Sequence, residues 1–184
     1  MKFLALLPVL LLPSCIAPPP MPARQMAWQR QQGLSGILDR PAMGLGEIEG
    51  VAHRVARTSG LYVAGTIHQS YDTNGPLASI QAVSGGERIS VNPRAAREVP
   101  LNAWAFIFGH EFAHQVYNFG HRGHTDPQQE LRADIIGARY AMDAGYELRP
   151  YIRWMLSRPS HYTPSHGDLH WRAHELAKHY GVGR

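Results

Sequence analysis

Apolar positions along this chain follow several distinct rhythms. Ile48, Val51, Ala52, Val55 and Ala56 recur at helical spacing, which predicts an amphipathic helix over Gly46 to Thr58, stopped by Ser59-Gly60. Leu61 to Ile67, Leu77 to Val83 and Arg88 to Val91 are short runs rich in β-branched and apolar residues. The turn signals Asp72-Thr-Asn-Gly-Pro76 and Ser84-Gly-Gly86 separate them, so they predict three strands of a small antiparallel sheet. Leu101 to Gly109 carries no charge and is apolar on nearly every side. It predicts a buried helix with Pro100 in its first turn, ending at Gly120 or near Gly123.

Periodicity returns from about Gln128 to Ala144, with Asp126-Pro127 as a cap and Gly145 as a stop. Glu130, Asp134, Gly137 and Ala141 fall on one stripe of that helix. The small residues at 137, 138 and 141 allow close approach to the helix that begins at Pro100. Arg149 to Leu156 and Asp168 to Tyr180 predict two more helices, and Arg24 to Leu38 another, weakened by Gly33 and Gly36. The fold class expected is α+β, mainly helical, with a small antiparallel sheet beside the Pro100 helix.

The start of the chain follows a different logic. Met1-Lys2 is a charged opening, and Phe3 to Leu12 is an apolar run too short to span a bilayer. Leu12-Pro-Ser-Cys15 follows, with the one cysteine of 184 residues. Residues 1–14 therefore read as a signal peptide. Cys15 and the proline-rich stretch to residue 23 read as a lipid attachment point and a stiff spacer. An ordinary secretory signal or a short uncleaved anchor is the competing reading. Residues 24–184 fit one domain, of about the usual size. One cysteine excludes an internal disulfide. The formal net charge of +4 is spread without a basic run, which argues against a nucleic-acid partner.

Chemistry concentrates in two places. His110-Glu-Phe-Ala-His114 puts two imidazoles four residues apart, on one face of a helix, where they can grip a single metal ion. Glu111 projects beside them, placed to act on a metal-bound water. Burial of such a group without a partner is costly, and a metal resolves the cost. Sixteen residues after His114 come Glu130 and Asp134, again four apart. One offers the third ligand and the other a supporting hydrogen bond. His121 lacks the glycine and histidine spacing that would make it a third ligand, and His124 sits in a loop. His166, His170 and His174 are also spaced by four, but read as polar faces of a helix.

These residues resemble the gluzincin pattern of zinc metallopeptidases, and most closely the M48 family, which includes small bacterial lipoproteins. Glu130-Leu-Arg-Ala-Asp-Ile-Ile-Gly137 is similar to that family's E-x-x-A-D-x-x-G segment. Glu87-Arg-Ile-Ser-Val-Asn92 is similar to its strand before the active helix, and Ser165 to Arg172 to a late segment running from histidine to arginine. The family more often has Thr-His-Pro at the last of these. The resemblance spans roughly residues 45 to 181. It implies a zincin-like fold and one zinc ion (Zn2+) per chain on His110, His114 and Glu130. It implies Glu111 as general base and Asp134 behind a ligand. For His166 it implies a donor to the reacting carbonyl oxygen, with a plain loop histidine as the alternative; Arg172 would bind or orient.

The function expected is a zinc endopeptidase of the bacterial envelope, acting on polypeptides on the periplasmic side. A lipid on Cys15 would anchor it, and the absence of an acidic residue after Cys15 favours the outer membrane. The alternative is an envelope chaperone or scaffold that keeps the fold without proteolysis.

Overall fold

A helix that is apolar on all sides must be covered on all sides, and the chain is arranged around one such helix. In the computed structural model, which describes residues 38–118 and 126–182, this is α3 (Leu101–Tyr117). Before it come α1 (Leu45–Ser59), β1 (His68–Gln69), β2 (Ala78–Val83), β3 (Gly86–Val91) and the single turn α2 (Ala95–Glu98). After it come α4 (Pro127–Asp143), α5 (Leu148–Ser157), β4 (Tyr162–Thr163), β5 (Gly167–Asp168) and α6 (Leu169–His179). Among the described residues the architecture is α+β, with six helices and two small sheets. No helix there is long and apolar enough to cross a membrane. Residues 1–37, with Cys15 and the spacer, and the loop holding His121 and His124, lie outside the described residues.

Every residue of α3 from Leu101 to Gly109 is buried, as are Phe112, Ala113 and His114. Trp104, Phe106, Phe108 and Phe112 are each at most 1% exposed. Burial of a side chain of this class contributes roughly 1.5–3 kcal/mol, so this helix is the main source of core energy. It packs against α1, α4, α5 and β2, and it shares one core with Val51, Val55 and Ala56 of α1, Ile89 and Val91 of β3, and Ala138 and Ala141 of α4. Asn102 pins its first turn: Nδ2 donates to the Glu147 carbonyl at 2.7 Å, and the Glu147 N–H donates to Oδ1 at 3.0 Å. Asn118, in the left-handed region at φ 50°, ends the helix before either glycine expected to do so.

The sheet differs from expectation in one strand. Its order is β1-β3-β2; β2 pairs antiparallel with β3, as expected, but β1 pairs parallel, so the sheet is mixed. The run Leu61 to Ile67 touches β3 only through an isolated bridge between Val63 and Glu87. Gly65, at φ 69°, breaks the extended run, and pairing resumes at His68. Asn92 then closes the sheet. Its Nδ2 donates to the carbonyls of Thr73 and Gly75 at 3.0 and 3.1 Å, and its Oδ1 accepts from the Arg94 and Ala95 N–H groups that open α2.

Two glycines let α3 and α4 meet backbone to backbone. A Cβ placed on Gly109 would collide with the Gly137 carbonyl, and one on Gly137 with the backbone of Gly109 and His110. Asp126 caps α4 by accepting from the Gln129 N–H at 2.8 Å, with Pro127 in the first turn. The crossing falls one residue before His110 on α3, and one turn after Asp134 on α4. Short side chains from both helices can therefore reach one point.

Candidate metal centre

The donors that reach this point are His110, His114 and Glu130. Helical spacing stacks the two imidazoles on one face of α3, with their Nε2 atoms 3.0 Å apart. Glu130, wholly buried on α4, brings Oε2 to 3.4 Å from His110 Nε2 and Oε1 to 3.5 Å from His114 Nε2. In a tetrahedral zinc site with bonds of about 2.05 Å, ligand atoms stand about 3.3 Å apart. The triangle of two nitrogens and one carboxylate has that size. Glu130 Oε1 is also buried with no hydrogen-bond partner. A buried carboxylate with one oxygen left without a donor, its two oxygens facing one ring nitrogen each, suits a cation between them. Among the described residues, this is the one group of His, Cys, Asp and Glu side chains close enough to share a metal ion. His166, His170 and His174 form no such group; His170 Nε2 bonds the Arg158 carbonyl at 2.8 Å.

Behind the triangle lies a second layer. Asp134 Oδ1 stands 2.9 Å from His110 Nδ1. With Nδ1–H donating to that carboxylate, Nε2 keeps its lone pair for a metal. Arg172 of α6 then holds Asp134 with two bonds, Nε to Oδ2 at 2.6 Å and Nη2 to Oδ1 at 2.7 Å. Its Nη1 reaches Glu130 Oε2 at 3.3 Å. Thirty-eight residues separate Asp134 from Arg172, yet the pair is almost completely buried. This is the strong bidentate geometry of guanidinium and carboxylate.

Charge follows the same layout. Burial opposes an ionised Asp134, but Arg172 and His110 outweigh it and hold the carboxyl well below its usual range. Glu130 is likewise held down against the effect of burial, by His110, Arg172 and His114. Burial disfavours the His110 imidazolium, yet bonds to Asp134 and Glu130 lift its pKa from 6.5 to about 9 in the metal-free protein. Both carboxylates thus stay ionised, and the site is built for positive charge.

The remaining expected residues are arranged more loosely. Glu111 is half-buried on α3 beside His110. His166 lies in the β4–β5 hairpin and is exposed. Its Nδ1 sits 2.7 Å from Ser165 Oγ and 3.4 Å from Thr163 Oγ1, and its N–H donates to Thr163 Oγ1 at 3.0 Å. Its backbone carbonyl is 3.5 Å from Arg172 Nη1, so the hairpin borders the carboxylate layer. The imidazole is not part of the donor triangle.

Two neighbours of the site carry no sequence signal of a role there. Tyr151 of α5 lies flat on Phe106, with ring centres 4.6 Å apart, and burial pushes its phenol well above the usual range, aided by Asp134 and Glu111. Its spacing marks it only as a core residue. Gln115 links α3 to the sheet by a bond to the Ile80 carbonyl at 3.3 Å. A glutamine after H-E-x-x-H has no signature of its own.

Compared with family models, curated proteins and solved structures, the chain matches none of them.

Proposed function

We propose that this protein is a zinc-dependent peptide hydrolase. The observation that carries the reading is the buried triangle of His110, His114 and Glu130, backed by Asp134 and Arg172. Nitrogen and carboxylate donors in that number favour zinc with one position left open, the catalytic rather than the structural arrangement. A zinc ion bound there supplies Lewis acidity, acidifying a water and polarising a carbonyl. The zincin-like fold belongs to the same reading. Its supports are the H-E-x-x-H helix, the carboxylate helix crossing it, and a sheet edge alongside.

The residues divide the work. His110, His114 and Glu130 hold the ion. Asp134 fixes the His110 tautomer, and Arg172 keeps Asp134 and Glu130 ionised and in place. Glu111 takes a proton from the attacking water and passes it to the leaving amine. His166 donates a hydrogen bond through Nε2 to the oxygen of the tetrahedral intermediate. The apolar leader and Cys15 support a periplasmic, lipid-anchored address, which incorporation of labelled fatty acid at Cys15 tests.

The direct test is zinc content and peptide cleavage for the wild type and Glu111→Gln. One zinc per chain is expected in both, with cleavage lost by about a thousandfold or more in the variant. Equal cleavage in both removes Glu111 from the chemistry. Zinc bound with no cleavage of any peptide by the wild type points to the scaffold reading instead.

A further inference from the structure

Gln115 stands four residues after Glu111, so the two side chains share a face of α3. Its Nε2 donates to the carbonyl of Ile80, in the middle of β2. The direction of that carbonyl follows from the register. The Asn92 N–H bonds the Leu77 carbonyl at 2.9 Å, which makes 77 and 92 a hydrogen-bonded pair. The pairs Ala78↔Val91, Ile80↔Ile89 and Ala82↔Glu87 are then the non-hydrogen-bonded ones. The far side of β3 agrees: the Val91 carbonyl accepts from Ser70, and the Glu87 N–H donates to Tyr62. The backbone groups of Ala78, Ile80 and Ala82 therefore point out of the sheet at its edge. The Gln115 carboxamide bonds to one of them, the Ile80 carbonyl.

An amide N–H on a side chain and one on a backbone are the same donor. A row of outward N–H and C=O groups is a template for an extended chain. Here an amide already occupies the row's central acceptor, and it comes from the residue one helical turn after the general base. We infer that Gln115 holds, in the free protein, the place on the Ile80 carbonyl that a backbone N–H of an extended polypeptide substrate takes, so that binding displaces it. The inference rests on the peptide-hydrolase reading and adds a positioning residue to it. Gln115 keeps this one acceptor satisfied while it waits, and competes with each incoming strand for it.

The test uses the full zinc-loaded chain carrying Glu111→Gln, so that peptide survives, with and without Gln115→Met. Methionine keeps the length of the side chain and removes the donor. Binding of a fluorescein-labelled, unstructured peptide is read by anisotropy. Loss of the competitor is expected to tighten Kd by about two- to tenfold, the worth of one net hydrogen bond. Zinc content should not change, and N-methylation of one peptide amide should abolish the gain. An unchanged or weaker Kd makes Gln115 a simple strut and overturns the inference. So does a gain that survives N-methylation at every position, the failure of peptide to bind at all, or dimerisation of the Met variant through this edge. Cleavage by the chain that retains Glu111 is scored separately. Tightening without cleavage sinks the hydrolase reading alone; cleavage without tightening sinks this inference alone.

Discussion

The two walls of the site are built to different standards. The α3–α4 wall is a backbone contact between Gly109 and Gly137, with its donors nearly or wholly buried and tied to Asp134 and Arg172. The β4–β5 wall is a pair of two-residue strands whose His166 is exposed and held by hydroxyls. The first leaves its side chains almost no freedom; the second leaves a good deal. A metal needs several atoms fixed at once, and packing supplies that. Under the proposed function His166 meets substrate, and the hairpin leaves it exposed.

The sharpest way to break the contrast is Gly137→Val. Its side chain meets the backbone of Gly109 and His110, which cannot yield. We expect a loss of at least about 3 kcal/mol by denaturant titration, together with zinc. A variant that keeps both would show that the helices do not need their close approach.

Arg172→Met severs the link between the walls. Two buried carboxylates then lose their counter-charge, at a cost of about 3 kcal/mol in the metal-free protein. Zinc beside Glu130 should restore part of this, so melting of the variant should rise more on zinc addition than that of the wild type. Equal rises would mean the guanidinium is not a counter-charge to the site.

On the hairpin side, His166→Ala should lower kcat by about a hundredfold while zinc affinity and stability hold. A variant that loses zinc as well would erase the distinction between the walls.

The smallest effect concerns acid. Hydrogen bonds from Ser160 and the Trp171 N–H hold the Asp168 carboxyl below its usual value at the start of α6. A group lowered on folding adds stability that is present above its unfolded pKa, about 3.9, and fades as pH falls below it. Asp168→Asn should therefore flatten a little of the acid limb of the stability curve and leave neutral pH almost unchanged. No change in that limb would show that the cap contributes nothing.

What could be read in the sequence is what helical spacing carries. His110 and His114, like Glu130 and Asp134, are four apart, and once each pair is helical their faces follow. The small residues of α4 signalled the close crossing. Long-range links were not legible: nothing near Arg172 in the chain announces Asp134, and nothing near Gln115 announces Ile80. Local backbone misled in one place, since Leu61 to Ile67 has the composition of a strand, but Gly65 turns it aside. The one-turn helix α2 carries little signal because Asn92, whose Oδ1 accepts from the N–H groups of Arg94 and Ala95, reads as the end of a strand.

The guanidinium that balances Glu130 and Asp134 arrives on the last helix. During synthesis, a ribosome delivers both imidazoles, both carboxylates and the glycine crossing well before it delivers Arg172. A polypeptide interrupted ahead of α6 therefore has all three candidate donors, but Glu130 and Asp134 lack their guanidinium partner. Completion of the chain, rather than appearance of the motif, is what gives these two carboxylates their counter-charge.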